Sequence, residues 1–302
     1  MGLALSSILL AAAGAWAAEL QALPEHLRTD PFGSIVTRDQ SAGSDFASSV
    51  TLVTPRGGFV SFQLVVRMPE VGAYALNLKM PPPLEADVFR EWFHLTQRDQ
   101  LYRPDALVPV PAAFRSRMPE PDNRIPKQTV QAFWVDVWVP RTARPGSYTA
   151  SAELEAASRV SVPVRITVLE KEFPEKDAVT IDHNSYGSSW IAQDYPAARD
   201  REGAKFFESD SFFKLIHAYH RIFYEHRGTF HQLGYGHGGK TGPEFAPALT
   251  GSGRTRQIKD WTLFDRHYGP LLDGSAFAGT RCAFEPRLFR SYGIGSGLQV
   301  GE

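Results

Sequence analysis

Four carboxylates stand near the ends of expected elements in the second half of the chain: Asp182, Glu244, Asp265 and Asp273. Glycosidic hydrolysis uses carboxylates in pairs, one as acid and one as base or nucleophile. Taken singly, each is more often a cap or a surface charge. Trp190 and Trp261 have flat faces of the kind that stack on a sugar, and equally the bulk that fills a core. His217 and His220 are three apart on one helical face, the spacing of a metal pair. No Asp, Glu or Cys joins them at a familiar ligand spacing, so they read as structural histidines and no metal is expected. Gly234-x-x-x-x-Gly239-Lys240-Thr241 matches the phosphate-loop pattern. That chemistry needs a helix opening at Lys240, its amides aimed at a phosphate. Gly242 and Pro243 follow at once, so the stretch reads as a flexible loop, and no nucleotide or other cofactor is expected.

The elements that would position these residues begin with a clear strand signal. Val160, Val162, Val164, Ile166 and Val168 occupy alternate positions, which puts five branched side chains on one face of a strand. Pro163 has no N–H for a ladder, so this strand is expected at an edge or bulged there. Arg144-Pro145-Gly146-Ser147 is a turn, and alternating runs lie on both sides of it, Phe133–Val139 before and Tyr148–Leu154 after. Further strand-like runs occur at Ser34–Thr37, Val50–Thr54, Phe59–Arg67, Ala73–Met80 and Val88–Leu95, so the first half reads as a β-sandwich. The Pro- and Arg-rich stretch Tyr102–Lys127 is expected to be a long surface loop.

From Ala178 the pattern changes. Val179-Thr180-Ile181 reads as a buried strand ending in a polar cluster, Asp182 to Tyr186. Apolar residues at helical spacing predict a helix over Ser211–Arg227, with Ser209 or Asp210 as N-cap and Gly228 as its stop. A strand follows over Thr229–Leu233, and a second helix covers Asp260–Leu272. Strand, helix, strand is the order of an α/β unit.

The chain has 302 residues and a formal net charge of −1, enough for two cores and no electrostatic case for nucleic acid. Leu3–Ala13 is apolar and Ala15-Trp16-Ala17 fits a cleavage site, so residues 1–17 read as an export signal. The mature protein is then expected to be exported, periplasmic or extracellular, and off the membrane. A single cysteine, Cys282, excludes an internal disulfide.

Taken together, the features resemble a known family. They are the signal, the sandwich with its Arg144-Pro145-Gly146-Ser147-Tyr148-Thr149 turn, the Val162–Val164 strand and the Phe173-Pro174 exit. Glu225-His226-Arg227 and Asp260-Trp261-x-x-Phe264-Asp265-x-x-Tyr268-Gly269 complete them. The chain is similar to glycoside hydrolase family 123 and the related DUF4091 proteins. The resemblance implies a sandwich followed by a (β/α)8 barrel, and exo-action on β-linked N-acetylhexosamines, chiefly N-acetylgalactosamine. It implies a substrate-assisted mechanism in which the substrate's acetamido group attacks, oriented by an Asp and helped by an adjacent Glu acid.

This sequence contains no Asp-Glu dipeptide, and residues 177–302 are about half of the roughly 250 that a full barrel needs. The expected fold is therefore an N-terminal antiparallel β-sandwich (18–176) followed by an incomplete (β/α)8-barrel-like segment (177–280) and an irregular tail (281–302). The expected function is that of a truncated β-N-acetylhexosaminidase-like protein, inactive alone, with its acid pair beyond Glu302. Asn184, Tyr186, His231, His237, Trp261 and Asp265 are the expected substrate-binding residues, and a glycan or amino sugar the expected partner. The alternative is a non-catalytic carbohydrate-binding or cell-surface sandwich module.

Overall fold

The structure is a computed structural model that describes residues 17–36, 46–174, 181–186, 189–233 and 247–281. It divides into two compact units, Met1–Glu172 and Phe173–Glu302.

The first unit is a two-sheet sandwich. Its strands are β1 (Glu19–Leu23), β2 (Val50–Arg56), β3 (Gly58–Arg67), β4 (Gly72–Lys79), β5 (Glu85–Leu95), β6 (Tyr102–Val110), β7 (Ala113–Met118), β8 (Val130–Val139), β9 (Gly146–Glu155) and β10 (Arg159–Glu172). One sheet runs β1-β3-β8-β5-β6 and the other β2-β10-β9-β4-β7. The pairs are antiparallel except β2 with β10, which is parallel, from Val164↔Val50 to Val168↔Thr54. The expectation of a wholly antiparallel sandwich is corrected at that seam.

The period-two pattern governs the packing. Val162, Val164, Ile166 and Val168 of β10 face Phe133, Val135, Val137 and Val139 of β8 within one apolar core. All eight are at most 2% exposed, and each such burial contributes about 1.5–3 kcal/mol. Pro163 lies in an interior strand rather than an edge strand: β9 pairs on one side of it, opposite Ser151. On the other side β2 joins only from Val164, one residue on, so the missing N–H falls where that side has not yet acquired a partner.

The Tyr102–Lys127 stretch is not one loop. Most of it forms β6 and β7, the outermost strands of the two sheets. Pro104 and Pro109 within β6 are compatible with an outermost strand, and they hid its period. Residues 119–128 then close on a buried polar network. Arg90 pairs with Glu120, whose Oε2 accepts the amides of Asp122 (3.0 Å) and Asn123 (2.8 Å). A second apolar layer covers the outer face of the first sheet. Leu23, Leu27, Val65, Phe93, Ile125, Val130 and Ala132 form it.

The second unit contains β11 (Ile181–Tyr186), α1 (Ser189–Asp194), α2 (Pro196–Glu202), α3 (Asp210–Glu225), β12 (Gly228–Leu233), β13 (Ala248–Thr250), β14 (Gln257–Asp260) and α4 (Thr262–Leu272). β11 and β12 pair in parallel with helices between them, the expected strand–helix–strand order. A (β/α)8 barrel, complete or partial, is not seen among the described residues; their sheets here are two two-stranded pairs. Phe212, Ile216, His220 and Tyr224 recur every four residues along α3 and are buried. Phe212 and Ile216 pack with Ile191, Phe206, Phe264, Tyr268 and Leu271, while His220 meets Phe230 and Tyr224 stacks on Phe277. Ser209 is the N-cap, its Oγ accepting the Phe212 amide at 3.2 Å. The helix does not stop on Gly228, which opens β12. Arg227 takes the left-handed turn instead (φ 55° to 65° being the range of such residues here, 65° for Arg227). Its guanidinium lies 5.1 Å over the Phe173 ring and donates to the Pro174 carbonyl, contacts that offset the cost of that backbone.

Candidate functional site

The parallel pair sets the geometry of the candidate site. Its register runs Asp182↔Thr229, Asn184↔His231 and Tyr186↔Leu233. Two nominated residues, Asn184 and His231, are thus direct partners, and Tyr186 closes the carboxyl end of β11. Sequence reading treated Asp182–Tyr186 as the tail of an earlier strand; these residues are the strand itself. The ends of parallel strands that point toward helix starts are where α/β folds collect their ligand groups. His237 and Glu244 lie outside the described residues, as do the phosphate-loop match, Cys282 and the apolar run Leu3–Ala13.

Trp261 and Asp265 share the opening turn of α4. Trp261 is its N-cap, 41% exposed, with its ring edge-on to Phe264 at 5.5 Å. The Asp265 amide donates to the Trp261 carbonyl at 2.8 Å, and its carboxylate sits in the first turn, where the helix dipole favours negative charge. The nominated residues that are described lie on two sets of elements, Asn184, Tyr186 and His231 on the paired strands, and Trp261 and Asp265 at the start of α4. Asp273 proves to be a turn residue: its Oδ1 accepts the Ser275 amide at 2.8 Å, and those bonds hold its carboxyl below the usual carboxylate range. Trp190 packs edge-on against Tyr219 (4.9 Å) and Phe230 (6.5 Å), which gives it the core role.

The two α3 histidines serve different neighbours. His217 Nε2–H donates to the His267 carbonyl at 2.7 Å, while His220 is buried edge-on against Phe230 at 5.1 Å. No cluster of three metal-ligating side chains occurs among the described residues. Sequence reading missed His267. Its ring stacks on Phe213 at 3.9 Å, and Nε2 lies 3.3 Å from Asp210 Oδ1, tying α4 to the start of α3. Burial pulls its pKa below the ordinary value, partly opposed by Asp210. The available signal was its place in the apolar phase of the last helix, beside Phe264, Tyr268 and Leu271. In the sandwich, a groove of about 380 Å³ lined by Leu23, Glu25, Ser49, Val50, Ser61 and Phe62 among others holds none of the nominated residues. No described helix is long and apolar enough to cross a membrane.

Residues 94–156, from the end of β5 to the end of β9, match the glycoside hydrolase 123 N-terminal domain. Among solved structures the fold is similar to a family 123 glycoside hydrolase from Clostridium perfringens. The identity is 13% and the TM-score 0.50, over 70% of this chain and 37% of that one. The chain thus spans well under half the length of that hydrolase. A non-cellulosomal cohesin from Archaeoglobus fulgidus aligns over 40% of this chain and 88% of its own, at 16% identity and a TM-score of 0.22, too distant to carry an argument. No curated protein matches the chain. The resemblance to glycoside hydrolase family 123 is therefore borne out: one stretch matches that family's N-terminal domain model, and a structurally solved member shares the fold.

Proposed function

We propose that this glycoside-hydrolase-like protein is exported and binds glycans ending in a β-linked N-acetylhexosamine, N-acetylgalactosamine foremost, without hydrolysing them on its own. The observation that carries the reading is the match over residues 94–156, which falls on the sandwich half of a family whose solved member acts on glycolipid glycans. Asn184, Tyr186, His231 and His237 would supply hydrogen bonds to the sugar, and Trp261 with Asp265 a stacking face and an acceptor. The given sequence holds no adjacent Asp-Glu pair to orient an acetamido group and protonate a leaving oxygen, so binding is proposed without turnover. Chromogenic N-acetylhexosaminides incubated with the purified chain should release no product, while N-acetylgalactosamine-terminated oligosaccharides should raise its melting temperature. Turnover would overturn the missing-acid reading, and no thermal response to any amino sugar would overturn the binding reading.

A second reading rests on the sandwich having two five-stranded sheets and a core of its own among the described residues. In it the sandwich alone is the carbohydrate-binding module. Residues 17–172 expressed alone separate the two: retained glycan binding favours this reading, and loss of binding by a folded sandwich favours the first.

A further inference from the structure

Residues 24–36 cross the outer face of the first sheet as a strap. Gln63 Nε2 on β3 donates to the strap carbonyls of Pro24 (2.7 Å) and Leu27 (2.8 Å). Leu27 enters the second apolar layer beside Phe93. Trp134 of β8 pairs in register with Phe89 of β5, and the strap's Arg28 lies 5.3 Å over the Trp134 ring. Glu91 alternates with Phe89 and Phe93, so it lies between the positions that Arg28 and Leu27 cover. It is 2% exposed, and neither carboxylate oxygen has a hydrogen-bond partner among the described residues. Arg28 Nη1 is meanwhile committed to strap carbonyls, those of Glu25 and of Leu27 (2.7 Å).

We propose that Glu91 and Arg28 form a proton-operated latch on this strap. With Glu91 protonated, Arg28 stays on its own carbonyls and residues 24–36 remain seated. When Glu91 loses its proton, an unpaired charge stands in an apolar layer, a state that burial strongly disfavours. The relief available is for Arg28 to swing in and pair with it, which breaks the carbonyl bonds and loosens the strap.

The surroundings leave few other responses. The register partner of Glu91 on β6 is Leu107, and Trp134 and Gln63 present no titratable group from β8 and β3. Among the described residues, the charge that acts on it is Arg28. Burial pushes the Glu91 carboxyl up to about 7, with Arg28 only partly opposing. The folded state therefore holds a proton that the unfolded state releases near the ordinary value of 4.5. The latch is fully closed in acid, weakens as the pH rises from there to about 7, and changes no further above that.

Hydrogen exchange on the full chain at pH 5.5 and 8.5, expressed as protection factors so that intrinsic exchange chemistry cancels, tests the latch. Protection over residues 24–36 should fall about tenfold at the higher pH while β8 and β10 keep theirs. Glu91→Gln should hold the strap's protection equal at both values. Arg28→Ala removes both the carbonyl bonds and the cation that swings, so the strap should be poorly protected at both pH values. Equal wild-type protection at the two pH values overturns the proposal, as does a pH response that survives in Glu91→Gln. If that variant does not fold, a wild-type-like pH response in Arg28→Ala overturns it equally.

Discussion

Asn184 and His231 are register partners across the parallel pair β11–β12, although forty-six residues separate them in sequence. The pairing rests on the helices between the strands and on the two-residue turn, His226 and Arg227, that returns the chain to β12. If this pair holds the amino sugar, alanine at either position should weaken N-acetylgalactosamine binding about tenfold, roughly 1.4 kcal/mol, with little change in the melting temperature. Asp273→Asn should leave affinity unchanged, because that carboxylate is engaged in a local turn. Titration calorimetry on the three variants reads both effects.

The Arg90–Glu120 pair is a buried ion pair in the sandwich. Glu120 is 1% exposed and Arg90 8% by side chain, and the same carboxylate caps the turn at Asp122 and Asn123. Arg90→Met leaves that charge without its cation, a loss of about 3–5 kcal/mol. For a unit of this size the melting temperature should fall by about 10 °C. Adding Glu120→Gln should recover part of the loss, and calorimetric melts of the single and double variants provide the check.

Acid should weaken the second unit through His267. Its folded pKa is pulled down by burial against Phe213, so the unfolded chain binds a proton first, near the ordinary value of 6.5. Stability is intact above that value and is lost as the pH falls below it. Melts of the wild type at pH 7.5 and 5.5 should show the drop, and His267→Phe, which keeps the stack, should shrink it. Asp210 retains Arg266 as a partner in that variant.

Ser209→Ala removes the acceptor for the Phe212 amide at the start of α3. It should cost about 1 kcal/mol, visible as a lower urea midpoint with an unchanged slope.

Much of the architecture was legible where one physical effect dominated. The alternation from Val160 to Val168 announced β10, and the helical spacing of Phe212, Phe213, Leu215, Ile216, Tyr219, Ile222 and Phe223 announced α3. Reading failed where two effects competed. In β6, Pro104 and Pro109 outweighed the strand signal, yet an outermost strand tolerates both. At the end of α3, Gly228 looked like the left-handed stop, but contacts from the Arg227 side chain decided the matter in favour of its neighbour. Glu91 carried a visible hint, a charge set between Phe89 and Phe93, which becomes informative only once the strap is known to cover it. Of the nominated binding residues, sequence spacing located Trp261 and Asp265 on one helix, while the Asn184–His231 partnership depended on a long-range register that no local pattern encodes.

The parallel seam between β2 and β10 bears on the order of assembly. β2 pairs with a strand that begins more than a hundred residues later, whereas β9 and β10 are joined by a short turn. During synthesis β2 therefore emerges long before its partner, and the seam closes only once β10 follows, at the entropy cost of a long loop.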